Sequence, residues 1–192
     1  MRRAKPTPAR PIVFSLLLCA AILPACSKHT ENAPAPRADS LIIPEPAALP
    51  SDFDTLVDHR WTGTLTYLDY TSGKNTTIRS TLRVRTDKPS SGIWSIAFGY
   101  DDEPHANAAS ELRLIDDGTS IKNGNTVERV LSRAQSLEAI EIVTEHAGTD
   151  DNKPATIRKT YRIGAKVFSI TKRVKFAGSI DFIQRHEYRW TR

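Results

Sequence analysis

The stretch that decides the fold is residues 167–191, VFSITKRVKFAGSIDFIQRHEYRWT. Over 167–176 every second residue but one is apolar, with Phe168, Ile170, Val174 and Phe176 on one side. Over 181–191 the same period of two continues, and Tyr188 and Trp190 share one parity. A period of two places alternate side chains on opposite faces of a β-strand. The stretch therefore predicts two antiparallel strands joined by a short turn around residue 178.

The same alternation runs back through the chain to residue 61. It predicts further strands over 61–70, 76–85, 93–100, 111–115, 119–121, 126–132, 137–145 and 156–163. Turn residues such as Asp116-Asp117-Gly118 separate them, with a polar loop over 148–154 and a short helix over 54–60. Nine or ten strands without a long helical period predict an all-β, antiparallel up-and-down meander. We expect it to close into a barrel, which removes the strand edges, and a two-sheet sandwich is the alternative.

The first 25 residues form a leader. It begins with Arg2, Arg3, Lys5 and Arg10, without an acidic residue, and residues 12–25 are apolar apart from Ser15. The apolar run is too short to span a bilayer core, which needs about 20 helical residues. A basic start, a short apolar run and small residues are typical of a secretory signal peptide.

The leader ends in Leu23-Pro24-Ala25-Cys26, which resembles the bacterial lipobox. The resemblance implies that Cys26 becomes the N-terminus and carries acyl chains such as palmitate, which anchor the protein in a membrane. Because residue 27 is Ser rather than Asp, it also implies a place at the outer membrane of a bacterial envelope, with the domain in the periplasm. An ordinary secreted protein with a spare thiol and an uncleaved anchor are the alternatives.

The composition divides the chain into three parts: a signal peptide over 1–25, a lipidated cysteine and linker over 26–51, and a domain over 52–192. Prolines at 34, 36, 44, 46 and 50 prevent a regular hydrogen-bond ladder in the linker. The formal charge is +5, but the leader holds four cations and no anion. Processing therefore leaves the chain nearly neutral, and we expect no nucleic-acid partner.

Trp61-Thr62-Gly63 lies near the first predicted strand and carries, in reverse order, the residue types of the lipocalin hallmark Gly-x-Trp. The domain resembles the lipocalin and calycin barrels in its strand pattern, and also uncharacterised bacterial lipoproteins with such barrels. The resemblance covers 52–192 and implies a barrel whose interior can hold one small apolar or amphipathic ligand.

Cations are concentrated near the C-terminus. Residues 153–192 contain eleven Lys and Arg but only Asp181 and Glu187 as anions. If the cations share a face, they form a basic patch that could contact anionic lipid headgroups or an acidic ligand. The alternative is a solvated outer face. The candidate ligand-binding residues are Arg158, Arg162, Arg173, Arg185 and Tyr188.

Motifs for chemistry are sparse. Asp101, Asp102 and His105 combine hard carboxylates with an imidazole and are candidates for a divalent cation, although the same composition fits a solvated loop. Ser169 and Lys172 match Ser-x-x-Lys, but that chemistry needs a helix and these residues lie on a predicted strand. The sequence predicts no catalytic residue, no resident metal and no cofactor.

Two functions are the leading hypotheses. One is a binding module for an apolar or amphipathic ligand on a membrane tether. The other is a structural or interaction protein of the envelope with a filled barrel, and a hydrolase is a weaker third hypothesis. An interior cavity lined by aromatic residues favours binding, whereas tight packing favours a scaffold.

Overall fold

Ten antiparallel strands follow one another in chain order after a short helix. The structure is a computed structural model and describes residues 45–192. The elements are α1 (Pro50–Asp54), β1 (Arg60–Asp69), β2 (Lys74–Arg85), β3 (Ile93–Gly99), β4 (Ala108–Ile115), β5 (Ser120–Asn123), β6 (Thr126–Gln135), β7 (Ala139–Asp150), β8 (Lys153–Gly164), β9 (Val167–Phe176) and β10 (Ile183–Thr191). The predicted signal peptide, Cys26 and the linker up to residue 44 lie outside the described residues.

The strands form a closed barrel. Each strand pairs with its neighbours in sequence, and β1 closes the ring on β10, from Thr62 opposite Thr191 to Tyr67 opposite His186. The predicted antiparallel meander barrel is confirmed, and the two-sheet sandwich is excluded. No helix within residues 45–192 is long and apolar enough to cross a bilayer.

Consecutive turns of a meander alternate between the two ends of the barrel. The turns around residues 72, 103, 124, 151 and 180 lie at one end, which we call the open end. The turns around residues 89, 117, 137 and 165 lie at the other, the closed end, together with α1. This division positions the candidate site, because only the closed end is filled.

Helix α1 plugs the closed end. Phe53 and Leu56 are buried to 1% exposure, and the ring of Phe53 lies 5.2 Å from that of Trp94. The Trp61 indole N–H donates to the Leu56 carbonyl at 3.0 Å. The predicted helix over 54–60 is wrong in its bounds, because Pro50 is suited to a first helical turn and Asp58 has a φ of 60°, which a continuing helix does not allow.

A buried ion pair fixes the plug to the wall. Asp52 is fully buried, and the Arg133 guanidinium donates to its two oxygens at 2.7 and 2.8 Å. Asp52 also accepts the backbone N–H of Leu49 at 2.8 Å. Ala48 is buried as well, and its N–H donates to the Gly118 carbonyl. The folded body thus includes residues before 52.

The loop expected over 148–154 is a tight hairpin instead. β7 continues to Asp150 and β8 starts at Lys153, so only Asp151 and Asn152 form the turn. Both have positive φ, 49° and 58°, which matches the twist of a two-residue hairpin. Gly148 therefore belongs to β7, on the wall of the open end.

Candidate functional site

The open end contains a cavity of about 650 Å³, which we call the mouth cavity. Its apolar and aromatic lining comes from Phe98, Ile157, Tyr161, Ile170 and Tyr188, and its polar lining includes Asn123, Thr126, His146, Lys159, Lys172 and His186. Towards the closed end the interior is filled: an enclosed space of only about 10 Å³ remains among the core side chains there. One half of the barrel is therefore a packed core and the other half is a cup.

A buried carboxylate supports one wall of the cup. Glu128 on β6 is fully buried, and it accepts hydrogen bonds from the Thr144 hydroxyl at 2.7 Å and the Tyr161 hydroxyl at 3.1 Å. Its third partner is the Lys159 ammonium, which donates a hydrogen bond to the other carboxylate oxygen. A buried charge of this kind is tolerated only when it is paired and hydrogen-bonded. Glu128 thus holds Lys159 at a fixed place on the wall.

A second carboxylate holds the neighbouring lysine. Asp150 accepts hydrogen bonds from the Lys172 ammonium and from the Tyr70 hydroxyl, the latter at 2.7 Å. Arg185 approaches Asp150 to 3.4 Å and stacks over the Tyr70 ring at 4.2 Å. Burial raises the pKa of Asp150, but the hydrogen bonds from Lys172 and Tyr70 outweigh it, so the pKa is lowered. Burial, and then the hydrogen bond to Asp150, raise the pKa of Tyr70 to about 12.

The two lysines and a histidine form one row across the wall. Lys159 on β8 is the cross-strand partner of Lys172 on β9, and Lys172 is the partner of His186 on β10. Like charges directly opposite each other destabilise a sheet, so each ammonium needs its own carboxylate. With Arg185, this part of the wall carries three cations and two carboxylates.

Both histidines of the cup prefer the neutral form. Burial lowers the pKa of His186 to about 4, and the charges of Lys172 and Lys159 add to the effect. Burial also lowers the pKa of His146, again with Lys159 and Lys172 contributing. The His146 Nδ1 atom is buried and has no hydrogen-bond partner within residues 45–192. A buried polar atom without a partner calls for an explanation such as a bound group.

Tyr188 is the one residue predicted as a ligand contact that lines the cavity itself. Its hydroxyl lies 2.6 Å from the Tyr100 hydroxyl, and its ring stacks on Trp190 with 4.9 Å between centroids. Burial raises the pKa of Tyr188 strongly, and the hydrogen bond with Tyr100 adds to the shift. The phenol is therefore neutral and rigidly held, which suits a surface that an apolar group can contact.

The predicted arginines are divided among three places. Arg185 lies at the rim of the cavity, where β10 has a bulge between Gln184 and His186. Arg158 and Arg173 are cross-strand partners on the outer face, and Arg162 lies on that face towards the closed end, 3.8 Å from Glu138. The structure therefore brings together only part of the predicted basic patch.

The residues considered for a metal are all exposed in the loop between β3 and β4. Within residues 45–192, no three His, Cys, Asp or Glu side chains lie close enough to hold a metal ion. The structure therefore does not assemble Asp101, Asp102 and His105 into a metal site.

Sequence reasoning missed the ionisable groups of the cup, although a signal was present. Lys159 occupies the same strand parity as the buried Ile157 and Tyr161, and Lys172 the same parity as Ile170. A charged residue at a strand position that points into the barrel indicates either a buried ion pair or a polar cavity. Here it indicates both.

No family model matches the chain, and no curated protein matches it. Among solved structures, the crystal structure of Rv2717c from M. tuberculosis is similar, with a TM-score of 0.51 and 10% sequence identity. The similarity covers 74% of this chain and 95% of that chain. At this identity the similarity shows the fold alone.

Proposed function

We propose that this protein is a membrane-anchored binding module of the bacterial envelope, whose mouth cavity holds a small amphipathic ligand. The observation that carries the proposal is the half-filled barrel, with a cavity of about 650 Å³ above a packed core. This volume lies within the range of about 300–1,000 Å³ that is usual for small-molecule sites. A barrel that served only as a scaffold would gain packing energy by filling this half too.

The chemistry of the lining indicates the kind of ligand. Phe98, Ile170 and the face of Tyr188 offer apolar contact at the floor. Lys159 and Lys172 offer donors on the wall, because an ammonium has three N–H groups and each lysine has one carboxylate partner. A molecule with an apolar body and a carboxylate, phosphate or sulfonate group satisfies both parts.

The anchor rests on the sequence. The lipobox-like Leu23-Pro24-Ala25-Cys26 supports acylation at Cys26. Mass spectrometry of the N-terminal peptide from the membrane fraction tests this part separately. An unmodified Cys26, or an intact leader in the mature protein, would overturn the anchor and leave the cavity proposal standing.

The cavity is tested by native mass spectrometry of the full chain with decanoate and with decanol, which share an apolar tail. We expect decanoate to bind in a one-to-one complex and more tightly than decanol, because only decanoate offers an anion to Lys159 and Lys172. No binding of either probe, or equal binding of both, would contradict the proposal.

A cavity-filling variant provides the specific control. A Cβ atom at Gly148 would meet the Ile157 side-chain tip at 3.1 Å, a contact that the flexible end of Ile157 can relieve. Gly148→Leu is therefore expected to fold and to reduce decanoate binding at least tenfold. The matched variant Lys122→Leu, at an exposed position of β5, adds a leucine outside the cup and should leave binding unchanged.

A further inference from the structure

The loop between β9 and β10, over 177–182, carries an exposed apolar side chain at the open end. Ile180 exposes 90% of its surface, and Ile183 at the start of β10 exposes 40%. An aliphatic side chain this exposed contributes nothing to the core. Phe182 lies between them and is only half-buried. Ile183 is the cross-strand partner of the buried Val174 and therefore faces the barrel interior, whereas Phe182 faces the outside; we call Ile180 and Phe182 the apolar ridge.

Cations surround the ridge. The Arg158 guanidinium lies 4.3 Å from the centre of the Phe182 ring, and the Lys175 ammonium lies 5.2 Å from it. Arg173 stands directly opposite Arg158 across the strand pair. We call Ile180, Phe182, Arg158, Arg173 and Lys175 together the rim patch.

The rim patch keeps an excess of positive charge. Arg158 is paired with Glu145 at 2.7 Å. Within residues 45–192, no carboxylate lies within ion-pair distance of Arg173 or Lys175. Asp181 is the acidic residue within the loop. Two arginines opposite each other are unfavourable in a sheet unless an anionic partner compensates them.

We propose that the rim patch docks on the surface of a bilayer that contains anionic lipids, as a membrane contact additional to the N-terminal anchor. Ile180 would enter the interfacial region, while Arg173 and Lys175 would meet lipid phosphates. Apolar insertion combined with basic side chains is the arrangement that binds such surfaces. The cations favour an anionic bilayer over an apolar protein groove, since a groove offers no phosphate to them.

The proposal turns the open end towards the bilayer and does not require the mouth cavity to hold a ligand. Either proposal can therefore fail while the other stands. The opposite end offers a comparison, because Leu137 in the β6–β7 turn is also fully exposed, at 108%. Arg162, Lys166 and Arg189 line the surface pocket beside it, so the comparison tests which end of the barrel docks.

The test uses the full-length chain reconstituted in vesicles of phosphatidylcholine, with or without phosphatidylglycerol. An environment-sensitive fluorophore is attached through Ser179→Cys or, at the closed end, through Leu137→Cys, and brominated lipids act as quenchers. The parent chain, labelled in the same way, gives the background from any thiol of Cys19 or Cys26 that processing leaves free. We expect lipid quenching at position 179 in the phosphatidylglycerol vesicles, weaker quenching without that lipid, and little at position 137.

Surface variants separate the two contributions. Each cation near an anionic surface changes the membrane partition constant by roughly fivefold, so Arg173→Glu with Lys175→Glu should lower the equilibrium constant for docking by roughly twentyfold or more. Ile180→Asp should abolish quenching at position 179, whereas Leu137→Asp should have no effect. Equal quenching at 179 and 137, or quenching at 179 that is independent of phosphatidylglycerol and of both rim variants, would overturn the proposal.

Discussion

Replacement of Lys159 by Met removes the charge that compensates the buried Glu128. Met keeps much of the apolar stem, so the change isolates the ammonium. Glu128 would remain fully buried with two hydrogen bonds, from Thr144 and Tyr161. Loss of one partner of a buried pair typically costs about 3–5 kcal/mol. Because two donors remain, we expect a loss at the lower end, about 3 kcal/mol in the free energy of unfolding.

The assay is urea unfolding of the full chain, followed by tryptophan fluorescence. Trp61, Trp94 and Trp190 are all buried to 1% or less and lie in the packed half of the barrel, so their fluorescence reports its unfolding. The companion variants are Glu128→Gln and the double variant Glu128→Gln with Lys159→Met. Since the double variant has neither charge, it should be more stable than Lys159→Met by at least about 1.5 kcal/mol.

Two results would refute this reasoning. One is a Lys159→Met variant whose free energy of unfolding lies within about 1 kcal/mol of the parent's, because a buried carboxylate without its counter-ion should cost more than that. The other is a double variant whose loss equals the sum of the single losses, which would show that the two groups do not interact in the folded protein.

Three further predictions concern the plug, the turns and the pH dependence of stability. Asp52→Asn weakens the buried pair with Arg133 and should lower the free energy of unfolding by about 2–4 kcal/mol in the same urea assay; a loss below 1 kcal/mol would contradict this. Gly118→Ala should destabilise more than Gly124→Ala, because both glycines have positive φ but only a Cβ at 118 would meet backbone, at 2.1 Å; equal melting temperatures would count against it. Between pH 6.5 and about 4, the His186 side chain is protonated in the unfolded chain but neutral in the folded chain. The free energy of unfolding should therefore fall by up to about 3 kcal/mol as the pH is lowered over this range. His186→Gln should flatten this slope in urea titrations, and an unchanged slope would refute the assignment.

The barrel could be predicted because inward and outward residues alternate so regularly in the C-terminal half. The strand expected over 167–176 is β9 with the same bounds, and the adjacent strands follow closely. Closure follows from strand number and short turns, since an open meander of this size would leave two edges unpaired. The helix bounds were harder, because the proline-rich composition before residue 52 conceals a segment that packs into the closed end.

The cavity could not be predicted from alternation. Alternation says which side chains point inward, but whether they meet across the barrel depends on their sizes and on the barrel radius. Bulges add to the difficulty: the register shifts between Val130 and Ser132 in β6, and between Gln184 and His186 in β10. Each shift changes the parity of the inward face. The sequence predicts Tyr188, beyond the second bulge, as a ligand contact. It does not predict the row of Lys159, Lys172 and His186, because that row depends on how β8, β9 and β10 pair.

The central claim is that a small amphipathic molecule binds inside the open half of the barrel. The most direct measurement is an amide NMR titration of the isotope-labelled full chain in micelles with decanoate. Binding in the mouth cavity predicts shifts concentrated at Gly148, Lys172 and Tyr188, with little change at Lys122 on the outer face. Shifts confined to the outer face around Arg158, or no saturable shifts at all, would contradict the claim.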